Sequence, residues 1–213
     1  MRIGVTQRIT YDPSYGERRD ALATDWHRFL TSTWHDAVVV PVPNAPRHLE
    51  RFVDALAIEA FVLTGGNDLG TEPERDQTEA GCLAHAARHG LPVIGVCRGF
   101  QMMVAHSGGR VIPTDRQAHV ATRHPVEYLT DTPWGWSEGH RAEVNSFHGF
   151  AIPAGGLPDG WIPLAVSDDR GIEAARSVDG RWTAVMWHPE REQVPAPGDI
   201  ALFRYGIAGG RTR

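Results

Sequence analysis

Gly95-Val96-Cys97-Arg98-Gly99-Phe100-Gln101 is the stretch on which the reading of this chain turns. It closes an apolar run, residues 93–96, and opens a helix-compatible segment, residues 98–106, with no loop between them. A chain that passes from strand to helix at one residue must bend sharply, and Gly95 and Gly99 leave room for the bend. The side chain at such a bend stands beyond the carboxyl end of a strand and at the N-terminus of a helix. There the helix dipole and unpaired N–H groups favour a thiolate over a thiol. Taken alone, Cys97 also reads as an ordinary buried cysteine.

Outward from the bend, the first half alternates short apolar runs with helical periodicity. Residues 3–6, 37–42, 61–64 and 93–96 read as strands. Residues 14–32 carry Leu22, Trp26, Phe29 and Leu30 at helical spacing, and residues 47–56 carry Leu49, Phe52, Val53 and Leu56. A third helix is expected over residues 74–88, stopped by His89-Gly90. Short buried strands separated by helices predict an α/β fold: a doubly wound, mostly parallel sheet with helices on both faces. Such sheets bind ligands beyond the carboxyl ends of their strands, where both Gly65-Gly66-Asn67-Asp68 and Cys97 fall. The second half, richer in Pro, Gly and Trp, predicts strands at 126–129, 142–145, 162–166, 172–175 and 183–186 and a last helix at 199–205. The length, 213 residues, fits one domain over residues 1–213.

Composition narrows the chemistry. The sequence has no lysine, so all 21 basic residues are arginine. That excludes Schiff-base chemistry, a pyridoxal phosphate anchor and a Walker-type phosphate loop. No cofactor is expected. A formal charge of −5 argues against a nucleic-acid partner, although Arg8, Arg18 and Arg19 could hold a phosphorylated small molecule. Cys82 and Cys97 make no disulfide framework, the opening residues lack the apolar core of a signal peptide, and the apolar runs are too short for a bilayer. A cytoplasmic protein without membrane association is expected. His106, His119, His124 and His140 show no compact ligand spacing and no cysteine partners, so no metal is expected.

A nucleophile needs a base. Trp187-His188-Pro189-Glu190 follows the apolar run 183–186, so His188 also emerges at a strand end, with a carboxylate two residues on. His188 would take the Cys97 proton and return it to a leaving amine, with Glu190 orienting the ring. Backbone N–H groups of the Gly65-Gly66 turn and of Arg98 are the natural oxyanion donors.

These segments resemble, in order and spacing, the class I glutamine amidotransferase family. Leu63-Thr64-Gly65-Gly66-Asn67-Asp68, the Cys97 bend, Val144-Asn145-Ser146-Phe147-His148 and His188-Pro189-Glu190 carry the resemblance. It implies a flavodoxin-like fold and a Cys97–His188–Glu190 triad, with the Gly66 and Arg98 amides as the oxyanion hole. It also implies that Gly65, Asn67, Gln101, Asn145, Ser146 and His148 line the substrate. Arg75-Asp76-x-x-Glu79 and Cys97-Arg98-Gly99 are similar to the free-standing γ-glutamyl hydrolase branch, although Gly149 stands where that branch often has a second histidine. An Arg98–Glu79 ion pair is expected beside the nucleophile; the other reading is an ordinary surface pair. The opening, Met1–Ile9 with Tyr15–Leu22 and Trp26, resembles the bacterial γ-glutamyl-CDP-amidate hydrolases of capsule biosynthesis. That resemblance implies a nucleotide-linked γ-glutamyl amide as the small-molecule partner. Arg8 and Arg19 would meet its diphosphate, and Trp134-Gly135-Trp136 would offer a stacking face. The alternatives are hydrolysis of another γ-glutamyl amine, or a glutaminase subunit serving a separate synthase. A homodimer is allowed.

Overall fold

The computed structural model describes residues 1–209. In chain order its elements are β1 (Arg2–Thr6), β2 (Arg8–Asp12), β3 (Glu17–Ala21), α1 (Thr24–Thr33), β4 (Val38–Val42), α2 (Leu49–Ala55), β5 (Ala60–Leu63), α3 (Pro73–His89), β6 (Val93–Val96) and α4 (Arg98–His106). There follow β7 (Ile112–Pro113), α5 (Arg116–His119), β8 (Val120–Tyr128), β9 (Arg141–Phe147), β10 (Phe150–Ala151), β11 (Trp161–Ser167), β12 (Ile172–Ser177), β13 (Trp182–Val185) and α6 (Pro197–Ile207).

Nine strands form the central sheet in the order β4-β1-β5-β6-β13-β12-β11-β8-β9. From β4 to β13 every pairing is parallel, and the order matches a flavodoxin-like sheet. Beyond β13 the pairings are antiparallel. Side-chain alternation along the buried strands splits the core in two. Phe61 and Leu63 face α2, α3 and α4 through Leu49, Leu83, Phe100 and Met103. Val62 and Ile94 face α1 and α6, where Phe29 meets Phe203 edge-on at 4.7 Å between ring centres. No helix among the described residues is long and apolar enough to cross a membrane.

The helix expected over residues 14–32 is corrected. Asp12 accepts from the Ser14 and Tyr15 N–H groups, and Gly16 takes a left-handed φ of 63°. This turn sends β3 back along β2, pairing Thr10 with Arg19. Glu17, Arg18, Arg19 and Asp20 are all exposed, so nothing apolar pulls that segment into a helix. The helix begins at Thr24, where Trp26, Phe29, Leu30 and Thr33 supply one buried face. In the second half β8 begins at Val120, well before its expected start, and runs through Pro125; α5, β7 and β10 carry too little periodicity to be anticipated.

Parallel strands end on one side of the sheet, so the loops after β5, β6 and β13 converge there. The close approach of α4 to β5 makes this possible. A Cβ at Gly99 would lie 2.1 Å from the Leu63 carbonyl oxygen. Gly99→Ala should therefore destabilise the fold by about 1–3 kcal/mol or more, read as a lower urea midpoint with an unchanged m-value.

Candidate active site

Cys97 occupies a single-residue corner between β6 and α4, at φ 52° and ψ −108°. Such a backbone is rare for any residue with a side chain and costs about 1–3 kcal/mol. Both peptide groups are anchored: the Cys97 N–H donates to Val185 O at 2.8 Å, and Gln101 N–H donates to Cys97 O at 3.1 Å. Because the ladder of α4 starts at Gln101, the Arg98 N–H in the first turn precedes it.

His188 follows β13 and is 2% exposed. Its backbone is clamped by Asn145, which accepts from the His188 N–H at 2.9 Å and donates to its carbonyl at 2.8 Å. The 3-10 turn Pro189–Arg191 brings Glu190 beside the ring, with Nδ1 to Oε1 at 2.7 Å. A second clamp reaches over from α1, where Arg28 donates to the Glu190 and Glu192 carbonyls. One face of the ring lies on Gly65, where a Cβ would be 2.5 Å from Cε1. Burial alone would lower the imidazole's pKa, but the Cys97 side chain, within hydrogen-bonding reach, and the Glu190 carboxylate together raise it to about 9. With Nδ1 held by Glu190, Nε2 is the nitrogen left for Cys97.

The Gly65-Gly66 turn is fixed from below by Arg75, which is fully buried on α3. Its Nη2 donates to the Thr64 and Gly65 carbonyls at 2.9 and 3.0 Å, and its Nη1 donates to the Gly66 carbonyl. In a trans peptide the N–H points opposite to the C=O. Drawing the Gly65 carbonyl toward Arg75 therefore turns the Gly66 N–H away from it, and among the described residues that N–H has no acceptor.

Glu79 holds the Arg75 side chain, with Nε to Oε1 at 3.1 Å, and its other oxygen accepts from Arg98. Arg98 also pairs with Asp76. The Arg98–Glu79 pair is thus buried, with both side chains 3% exposed or less, rather than a surface contact. Burial lowers the Arg75 pKa to about 10, the adjacent Glu79 opposing the shift.

The other sequence candidates divide. Asn67 donates to Ile9 O at 3.0 Å and accepts from the Ile9 N–H and from Arg75. It joins β2 to the glycine turn. Asn145 likewise holds His188, and the Ser146 hydroxyl donates to His119 O at 2.7 Å. Gln101 lies one turn after Cys97, its amide nitrogen 3.1 Å from Phe150 O. His148 points into a buried cluster with His119, His124 and Glu173, a grouping that the spacing of His106, His119, His124 and His140 did not suggest. Their order along the chain hid it, because β9, β10 and β11 intervene between His124 and Glu173.

Of the three arginines expected to meet phosphate, Arg18 pairs with Glu72 and Glu74, and Arg19 pairs with Asp12 and Glu17. Only Arg8 borders the cleft beside Gly66 and His188, without a carboxylate partner among the described residues. Arg191, which sequence reasoning missed, lines the same cleft and lies 4.1 Å over the Phe147 ring. The Trp134–Trp136 stacking face is not available. Trp136 stacks on Tyr128 and packs against Gly198 at the start of α6, while Trp134 leans on Tyr205.

Comparison with known proteins gives the family and the fold. The Peptidase C26 family model matches residues 2–190. The chain is 29% identical to the γ-glutamyl-CDP-amidate hydrolase of Campylobacter jejuni, over 90% of this chain and 91% of that protein. It is 28% identical to a glutamine-hydrolyzing GMP synthase subunit of Natronomonas pharaonis, over 82% and 85%. A crystal structure from Thermoplasma acidophilum, provisionally described as a GMP synthase subunit, superposes with a TM-score of 0.72 at 20% identity, over 98% and 92% of the two chains.

Two outcomes test the site. Glu79→Gln leaves Arg75 buried without the one carboxylate it pairs with among the described residues and should cost about 3–5 kcal/mol in a denaturant melt. The second concerns charge. An imidazole raised to about 9 keeps its proton where a free one loses it near 6.5. The stability it contributes is complete below pH 6.5 and disappears as pH rises through 9. Iodoacetamide at about pH 7 should label Cys97 and spare Cys82, whose thiol burial pushes far up. His188→Gln should slow Cys97 labelling by about tenfold or more and flatten the limb of stability between about pH 6.5 and 9.

Proposed function

We propose that this chain, which belongs to the Peptidase C26 family, hydrolyses a γ-glutamyl amide through a thioester on Cys97. The observation that carries the proposal is the buried His188 ring, held between Glu190 and Cys97 and lying on the glycine turn that supplies a free N–H. The Cys97 thiolate attacks the amide carbonyl carbon, and the oxyanion forms between the Gly66 and Arg98 N–H groups. As the C–N bond breaks, His188 Nε2 gives its proton to the leaving nitrogen. Water then loses a proton to His188 and attacks the thioester carbon. Glutamate departs, and Cys97 returns as thiolate beside imidazolium. Glu190 accepts from Nδ1–H throughout and keeps the tautomer.

For the leaving group, similarity to γ-glutamyl-CDP-amidate hydrolase favours a nucleotide diphosphoramidate. Arg8 and Arg191 support it, since both border the cleft and a guanidinium pairs well with phosphate oxygens. The product would be cytidine diphosphoramidate. A second reading, a glutaminase subunit feeding a separate synthase, rests on the similarity to the GMP synthase subunit of Natronomonas pharaonis.

The test is glutamate release by the purified chain from γ-glutamyl-CDP-amidate, γ-glutamyl amines and glutamine. Release without a partner chain is expected, and Cys97→Ala should abolish it. Glu190→Gln should lower kcat by about 10²–10⁴, less than Cys97→Ser. Arg8→Ala should raise KM for the diphosphate substrate more than for glutamine. Activity only with glutamine, and only with an added synthase, would establish the second reading instead.

A further inference from the structure

Away from Cys97, four side chains from separate elements meet inside the antiparallel part of the sheet. His119 ends α5, His124 stands on β8, His148 lies in the turn between β9 and β10, and Glu173 stands on β12. One ring nitrogen from each histidine and one carboxylate oxygen all lie within 4.8 Å of one another. His119, His148 and Glu173 are buried and His124 is half-buried.

Each histidine is tethered through the nitrogen that faces outward. His119 Nε2 meets Asp169 Oδ2 at 2.8 Å, His124 Nδ1 meets Pro125 O at 3.2 Å, and His148 Nδ1 meets Phe150 O at 3.0 Å. A carbonyl accepts only from an N–H, so His124 and His148 are Nδ1–H tautomers with lone pairs on Nε2. Carbonyl and carboxylate tethers of this kind orient histidines that ligate metals. The inward nitrogens, His119 Nδ1, His124 Nε2 and His148 Nε2, are buried and without a hydrogen-bond partner, as is Oε2 of Glu173, whose other oxygen faces two of them. Buried polar atoms rarely stay unpaired, and three ring nitrogens in one place beside a carboxylate call for a common partner.

The spacing identifies that partner. His148 Nε2 and His124 Nε2 lie 3.6 and 3.9 Å from Glu173 Oε1, too far for hydrogen bonds. They approach the edge of roughly 3.3 Å in a tetrahedron whose ligand bonds are about 2.0–2.1 Å. We propose that His119, His124, His148 and Glu173 form a binding site for a divalent transition ion, best matched by Zn²⁺. Three imidazoles and one carboxylate suit that ion, and four protein ligands make a closed, structural site. The ion would tie β8, β9 and β12 together. Through Phe150 O, which accepts from both His148 and Gln101, it would also brace α4 behind Cys97.

The experiment uses the full chain as Cys97→Ala, so that the Cys97–His188 pair cannot supply the ligands. After EDTA treatment and dialysis, Zn²⁺ is titrated by calorimetry, and melting is followed with and without one equivalent. One equivalent should bind and raise Tm by several degrees. His124→Gln, checked for folding by circular dichroism, should weaken binding by at least about tenfold; Glu173→Gln serves if that variant does not fold. No saturable Zn²⁺ binding, or binding that both ligand variants keep, would overturn the site and leave a cluster holding protons and water only.

Discussion

A single guanidinium organises the reactive end of this sheet. Arg75 is fully buried, yet its donors reach three successive carbonyls of the β5 loop, the Thr64 hydroxyl, Asn67 and Glu79. Removing such a cation from water costs several kcal/mol, and an apolar residue of equal size could stabilise the fold as well. What an apolar residue could not do is aim three peptide planes. The carbonyls of Thr64, Gly65 and Gly66 point toward α3, so the N–H groups between them point toward the cleft. Glu79 extends the same logic to the next loop, since it binds Arg75 with one oxygen and Arg98 with the other. The turn after β5 and the corner after β6 are thereby fixed relative to each other by one carboxylate. Thr6 adds β1 to the set, donating to Glu79 at 2.8 Å and accepting from the Thr64 N–H at 3.0 Å.

The corner at Cys97 is the strained counterpart of that frame. Its positive φ is sustained because both flanking peptides are anchored and because Gly99 lets α4 touch the backbone of β5. A looser connection would relax the angle and move the sulfur from the imidazole. His188 is held with similar redundancy: Asn145 grips its backbone on both sides, Glu190 its ring, and Arg28 the turn beyond. At Cys97 backbone strain is sustained for geometry, whereas His188 is held by favourable contacts alone.

The parallel core and the reactive corner were legible because they are local. Buried runs such as Ala60–Leu63 and Val93–Val96 need no distant partner to be recognised; Cys97 directly follows one of them, and His188 follows the end of β13 closely. The hairpin of β2 and β3 was not legible, since Leu22 and Trp26 keep helical spacing across the junction of β3 and α1, while the turn made by Asp12 and Gly16 lies ahead of them. Structural roles of single residues were hidden for a different reason. Asn67, Asn145 and Ser146 look like ligand-binding side chains by type, but each is satisfied by a backbone group that only the fold brings near. The histidine cluster was hidden in the same way, its members separated by 5, 24 and 25 positions (119, 124, 148, 173) and joined only by sheet order.

Charge at the mouth of the cleft follows from the hairpin that the sequence concealed. As a helix, residues 14–32 would have turned Arg18 and Arg19 along one face; as a strand they lie against Glu72, Glu74, Asp12 and Glu17 and are neutralised. Arg8 sits at the start of the same hairpin, beside the glycine turn, and escapes that pairing. Arg191 reaches the cleft from the opposite side because the turn that presents Glu190 to His188 continues into it. The residue that orients the base and a residue that would meet an anion thus share one turn, so a change in that turn shifts both. On the proposed reading, leaving-group recognition and proton transfer are for this reason mechanically coupled, the more so because Arg191 Nε lies 3.9 Å from Glu190 Oε1.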